Sequence, residues 1–241
     1  MKRISIAICT ILFVLFMSIS GAQSIDNNSP GPAGMPPGAE PEYPGKTPVI
    51  KLVKPGVFEI GGIRLDKKAG TVEFEATVNM NKGLLEYLLV EKSGKVHESL
   101  LRTDVEPFNL QIALLMLGLE GTQNPLREQG DQASPEGDPV QILVKWIHKT
   151  KSKTVPVEKW IYTDEVKKEK HSIDWVFTGS IINNGTFMAQ ADKSIIALYH
   201  DPIAMFDNKM AEGGSDEVWF ADEKTVPENG TNVILVIKKL K

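Results

Sequence analysis

One cysteine, Cys9, is the whole thiol complement of this 241-residue chain, and it lies inside an apolar run near the N-terminus. The rest of the chain must therefore fold by burial and backbone hydrogen bonding, without disulfides and without thiolate-held metal. The run, Ile4 to Ile19, is interrupted only by Ser5, Thr10 and Ser18. It follows the positive pair Lys2-Arg3 and ends at the small residues Ser20-Gly21-Ala22. Those are the three parts of a secretory signal peptide, and they predict cleavage before Gln23. The run is short of the roughly 20 apolar residues that a membrane-spanning helix needs. Its cysteine sits in mid-run, away from a lipidation position.

Cleavage would leave a cysteine-free mature chain in an extracytoplasmic compartment, periplasmic or secreted, with no transmembrane segment. Cysteinyl iron–sulfur clusters and a cysteine nucleophile are then excluded. Taking Lys2 and Arg3 from the 27 basic residues leaves 25 against 31 acidic ones, a net charge of −6. That is not the electrostatic footprint of a nucleic-acid binder. Residues 23–48 hold seven prolines and four glycines with almost no aliphatic residues, a composition that predicts a disordered spacer. A single globular domain is expected over 49–241.

Within that domain, Thr71 to Met80 alternates apolar and polar residues and predicts a half-buried strand. Val57 to Asp66 reads as a bent strand or strand pair around Gly61-Gly62. Leu84–Glu91 and Lys95–Thr103 flank Lys92-Ser93-Gly94 and suggest a hairpin. Pro107 opens a helix, about 107–118, that is apolar almost all round and is expected to be buried between layers. A long polar loop, 121–139, follows it. Further strands are expected at 140–149, 175–182, 187–191, 194–199, 218–220 and 232–239, with Asn183-Asn184-Gly185 at a turn. Asp201-Pro202 is expected to cap a short helix through Phe206. The pattern is strand-rich and lacks an alternating βαβ rhythm. It predicts an α+β fold: mostly antiparallel sheet packed on the one buried helix, with short additional helices.

Leu85-Glu86-Tyr87-Leu88-Leu89-Val90, Gly94 to Leu101, Ala113 to Leu119, Trp175 to Ser180, His200-Asp201-Pro202 and Asp216 to Phe220 together resemble the bacterial YdjY-domain family, over roughly 55–240. The resemblance implies an extracytoplasmic protein and names no activity. Some members carry a ferredoxin-type label, which would need cysteine-bound clusters. Positions 23–241 contain no cysteine, so that cofactor does not carry over to this chain.

The candidate ligand or metal contacts are His97, Glu98, Ser99, His200 and Asp201. On a strand, His97 and Ser99 would share one face at about 6.6 Å between Cα atoms, too far apart for an easy nucleophile–base pair. His97 reads either as a histidine satisfied by a backbone partner or as a ligand contact. Asp201 reads either as a helix cap or as part of a site with His200. The four tryptophans read as core or as a cleft lining. Lys145, Lys149, Lys151 and Lys153 read as a solvated hairpin tip or as an anion contact. No phosphate-binding glycine loop, nucleophile elbow or zinc-protease helix motif is present. No catalytic residue and no cofactor is predicted. The first reading of function is an exported, non-enzymatic domain that binds a ligand or another envelope protein. The second is a metal-binding protein or metal-dependent enzyme using His97, His200 and nearby carboxylates.

Overall fold

Period-two alternation over Thr71–Val78 gives a strand whose even-numbered side chains are buried and whose odd-numbered ones face outward. The same rule, repeated along the chain, builds nearly the whole molecule. The computed structural model describes residues 48–164 and 166–240; the expected leader (1–22) and all of the expected spacer except Pro48 lie outside the described residues.

In chain order the strands are β1 (Ile50–Lys54), β2 (Val57–Ile60), β3 (Ile63–Asp66), β4 (Thr71–Val78), β5 (Gly83–Leu84), β6 (Tyr87–Glu91), β7 (Ser99–Thr103), β8 (Asp138–His148) and β9 (Lys151–Pro156). They continue as β10 (Ile161–Thr163), β11 (Trp175–Phe177), β12 (Ile182–Asn183), β13 (Thr186–Phe187), β14 (Ser194–Ala197), β15 (Phe206–Asn208), β16 (Trp219–Ala221) and β17 (Asn232–Lys239). The α-helices are α1 (Pro107–Leu117) and α2 (Met188–Asp192).

Eight strands close on themselves in the order β4-β17-β8-β11-β15-β14-β6-β7 and back to β4. The β14–β15 and β6–β7 contacts are parallel and the other six are antiparallel. Closure depends on β4, one edge of which serves two neighbours. Thr71–Glu73 pairs with β3, Thr77–Val78 pairs with β7, and at the changeover the Thr103 hydroxyl donates to the Glu75 carbonyl at 2.6 Å. β4 thus closes the barrel and also carries a flap, β1-β2-β3, outside it. Eight strands leave an interior that side chains can fill. Phe74, Leu101, Ile142, Phe177, Phe206 and Leu235 belong to that core, with the Phe177 and Phe206 ring centroids 5.2 Å apart.

The barrel corrects the expected α+β fold of sheets packed on a buried helix at 107–118. The core is enclosed by the sheet itself, and α1 lies against β2, β3 and β4 from one side. It buries Pro107, Leu110, Ala113 and Leu114, while Leu115 stays 40% exposed. Apolarity all round showed that the helix touches apolar surface, not that two layers enclose it. Gly118 ends it in the left-handed region at φ 85°, a conformation glycine adopts at little cost.

Local expectations shift as well. The expected hairpin at 84–103 is two parallel strands, with Tyr87 opposite Ser99. Lys92–Glu98 carries the chain back through a 3₁₀ turn at Val96–Glu98 so that β7 starts beside the start of β6. Thr178 and Gly179 leave the sheet after β11, and Phe187 leads into α2 rather than continuing as a strand. Asn184 and Gly185 do form the β12–β13 turn, with φ 48° and 79°. Residues 202–205 form turns rather than a helix. No helix among the described residues is long and apolar enough to cross a membrane.

Candidate functional site

The His97-Glu98-Ser99 motif straddles the 3₁₀ turn and the start of β7, so its side chains do not follow strand alternation. His97 is exposed, and its Nε2 lies 3.4 Å from Glu98 Oε2. Ser99 is buried and donates to the Lys95 carbonyl at 2.7 Å. The Asn79 amide ties the same turn down by donating to the Val96 and Ser99 carbonyls at 2.5 and 2.8 Å.

His200 and Asp201 follow β14 and are both buried, at 1% and 2% exposure. His200 Nδ1 faces the Asp131 carbonyl at 2.8 Å and Nε2 faces the Asn208 carbonyl at 3.0 Å. Both partners only accept, so both bonds form together when each ring nitrogen carries hydrogen. Asp207 Oδ1 lies 3.9 Å from Nε2. Gly213 lies close against the ring: a Cβ there would come within 2.1 Å of Nε2.

Asp201 Oδ1 accepts the Ile203 N–H at 2.9 Å, an Asx turn in place of the expected helix cap. Its Oδ2 accepts from the Tyr87 hydroxyl at 2.7 Å. Lys95 Nζ and Gln129 Nε2 donate to that hydroxyl at 2.8 and 3.2 Å. Lys95 and Tyr87 therefore link the two motifs: Ser99 to the Lys95 backbone, Lys95 to Tyr87, and Tyr87 to Asp201. The Asp201 N–H donates to Asp207 Oδ2 at 3.1 Å. Burial pushes the carboxyls of Asp201 and Asp207 above their usual range, Asp207 the more strongly. Burial, followed by the nearby Asp201 charge, also pushes the Tyr87 phenol up.

The 121–139 loop folds down over this cluster. Besides the Asp131 carbonyl on His200, the Gly130 N–H donates to the His200 carbonyl at 2.8 Å, and Gln132 Nε2 donates to the Gly214 carbonyl at 2.8 Å. The loop is pinned from within by Asp131. Its carboxylate takes Arg127 Nε at 3.1 Å and Nη2 at 3.3 Å, together with the N–H groups of Arg127 and Ala133. The Arg127 side chain, then the Ala133 and Arg127 N–H groups, hold the Asp131 carboxyl well below the usual carboxylate range. A depressed carboxyl stabilises the fold above its unfolded pKa and loses that contribution as pH falls through the folded value. Asp131→Asn is therefore expected to lower the urea midpoint at pH 7. The gap to the parent should narrow below the ordinary aspartate value of 3.8. An equal gap at pH 7 and pH 3 would show that the charge of Asp131 does not hold the loop.

What the cluster can do chemically is limited by space. Between the loop and Thr178, Ser180, Asp201 and Asp207 lies a void of about 10 Å³, the room of one water molecule. No group of three or more His, Cys, Asp or Glu side chains among the described residues is placed to share a metal ion. The two remaining histidines stand elsewhere: His148 is exposed at the end of β8, and His171 Nε2 lies 2.6 Å from Thr163 Oγ1. All four tryptophans are buried, with Trp146 and Trp160 edge-to-face at 5.1 Å between centroids, so they line no open cleft. Of the lysines near the hairpin tip, Lys145 pairs with Glu73 at 2.9 Å and Lys149, Lys151 and Lys153 are exposed.

Sequence reasoning singled out His200 and Asp201 but missed Tyr87, Lys95, Asp131 and Asp207, which complete the cluster. No motif spacing relates them, because four separate segments supply them.

A second concavity lies outside the barrel, where the flap departs from β4. It is an open groove of about 740 Å³ along the outward face of β4, between the Gly61-Gly62 turn and the end of β7. That size lies within the range of small-molecule sites. Arg64, Glu73, Glu75, Lys92, Arg102 and Asp104 line it, with Ile234 from β17. Lys92 pairs with Asp104 at 2.6 Å, and Glu73 with Lys145 at 2.9 Å. No sequence signal marked this groove, since its residues come from β3, β4, β7, β17 and the connections beside them.

No curated protein and no solved structure matches the chain. The YdjY domain matches residues 63–238, from the first residue of β3 to the penultimate residue of β17 and so across the whole barrel, and the chain belongs to the YdjY-domain family.

Proposed function

We propose that this protein is an exported, periplasmic or secreted binding domain that recognises a small ligand in the groove beside β4 and does not turn it over. Export is argued from the charged, apolar and small-residue parts of 1–22, which remove Cys9 and with it cysteine-bound iron–sulfur chemistry. The observation that carries the binding reading is the contrast between the two concavities. The histidine–aspartate cluster is closed around the space of one water. The groove offers about 740 Å³ among charged side chains with Ile234 beside them.

The test is a nitrogen-15 NMR titration of the mature chain against a panel of small amino acids, peptides, sugars and organic acids. At least one compound is expected to shift amides of Arg64, Glu75 and Arg102 and to be recovered unchanged. Conversion of a compound, or shifts confined to the His200 region, would overturn the reading.

A further inference from the structure

Three charged side chains in the groove have no ion-pair partner within 4.0 Å among the described residues: Arg64, Glu75 and Arg102. The other charges are already matched, Glu73 by Lys145 and Asp104 by Lys92. Strand register sets the spacing of the unmatched three. Arg64 stands opposite Glu73 and Arg102 opposite Thr77, both on the same edge of β4. Glu75 lies midway between those positions, and all three side chains are exposed. Four residues of strand place the two arginine Cα atoms roughly 13 Å apart. Ile234, 40% exposed, stands opposite Glu75 on the other side and supplies an apolar contact beside it.

Each guanidinium presents a planar fork that matches a carboxylate bidentately. Glu75, placed between them, repels a polyanion and calls for a positive group at the middle. A single phosphate or sulfate would satisfy one arginine and leave the other two charges unmatched. We infer that the groove binds a short acidic peptide with carboxylates toward its two ends and an ammonium group between them. This deepens, and rests on, the proposal that the groove is the binding site. A span of roughly 13 Å corresponds to three or four extended residues. The amino-terminal residue supplies an acidic side chain for one arginine and its α-ammonium for Glu75, and the terminal carboxylate reaches the second arginine.

The probe is the tripeptide Glu-Ala-Ala, titrated calorimetrically into the mature protein, with its N-acetyl form, its C-terminal amide, Gln-Ala-Ala and inorganic phosphate as comparisons. Each altered peptide is expected to bind about tenfold or more weakly, as fits the loss of one charge-assisted contact. Arg64→Gln and Arg102→Gln should weaken the parent peptide to a similar degree. Glu75→Gln should weaken it too, while binding the N-acetyl form more tightly than the parent protein does, because the repulsion by Glu75 is gone. All three changes are at exposed positions, and an unchanged thermal midpoint confirms that the fold is intact. Equal affinity for phosphate and peptide, or unaltered peptide binding in an Arg64→Gln/Arg102→Gln double variant, would overturn the inference. If Glu-Ala-Ala does not bind while another compound shifts the groove amides, this inference falls and the wider binding reading survives. If nothing shifts them, both fall.

Discussion

His200→Ala is expected to destabilise the fold by roughly 3–4 kcal/mol, and to expose the 121–139 loop to proteolysis before the rest of the barrel unfolds. The ring faces two buried carbonyls, Asp131 on the loop and Asn208 at the end of β15, and donates to both when each ring nitrogen carries hydrogen. Each loses its partner when the ring is removed, and an unsatisfied buried polar group costs about 1–3 kcal/mol. Packing adds to this. Gly213 approaches the ring so closely that no Cβ fits there, so deletion leaves a void against backbone that has no side chain to fill it. Backbone bonds from Gly130 to His200 and from His200 to Gly213 remain, which is why the loop should loosen rather than detach. Urea denaturation gives the magnitude, and limited proteolysis with mapping of the first cut gives the location. A loss under about 1 kcal/mol, or a first cut outside 121–139, would show that His200 does not anchor the loop.

Trp219→Ala is expected to cost about 3–5 kcal/mol, the range for emptying a large aromatic from a packed core. Trp219→Phe should cost far less, about 1 kcal/mol or under. Trp219 is fully buried on β16, the middle strand of the outlying sheet β10-β16-β5. Its side chain belongs to the same apolar core as the barrel, so it fastens that small sheet to the main one. Its indole N–H is buried without an acceptor. Phenylalanine keeps most of the apolar contact and removes the unpaired donor, and these changes oppose each other. Comparing the two variants by urea denaturation separates volume from polarity. Equal losses for Phe and Ala would show that the apolar volume of the ring does not fasten the sheet.

Much of the local structure was readable because one period governs it. Alternation over 71–80 is β4, the apolar segment at 232–239 is β17, Pro107 and Gly118 bracket α1, and Asn184-Gly185 makes its turn. Errors arose where the same residues suit two arrangements. Lys92-Ser93-Gly94 fits a hairpin, yet the chain passes through a further 3₁₀ turn and returns parallel. His97 read as a strand residue because nothing local marks the 3₁₀ turn that rotates it outward.

His200 and Asp201 stood out as a dipeptide at the end of an apolar segment. Their roles became visible only with the backbone carbonyls of Asp131 and Asn208, the Tyr87 hydroxyl and the Lys95 ammonium around them. Backbone carbonyls have no signature in a sequence, so a histidine that bonds two of them looks the same as one free to hold a ligand.

Sequence alone determined that residues 23–241 lack cysteine, that the domain is made mainly of strands, and which face of β4 is apolar, since these follow from residue identity and a two-residue period. Tertiary structure alone decided that the sheet closes on itself. Alternation specifies that one face of a strand is buried, and it does so equally well for an open sheet on a helix and for a barrel around its own side chains. The choice was made by the pairing of Thr77 and Val78 with Arg102 and Leu101. That pairing joins segments more than twenty residues apart, and it also sets Arg102 on the edge of β4 where the β3 pairing sets Arg64.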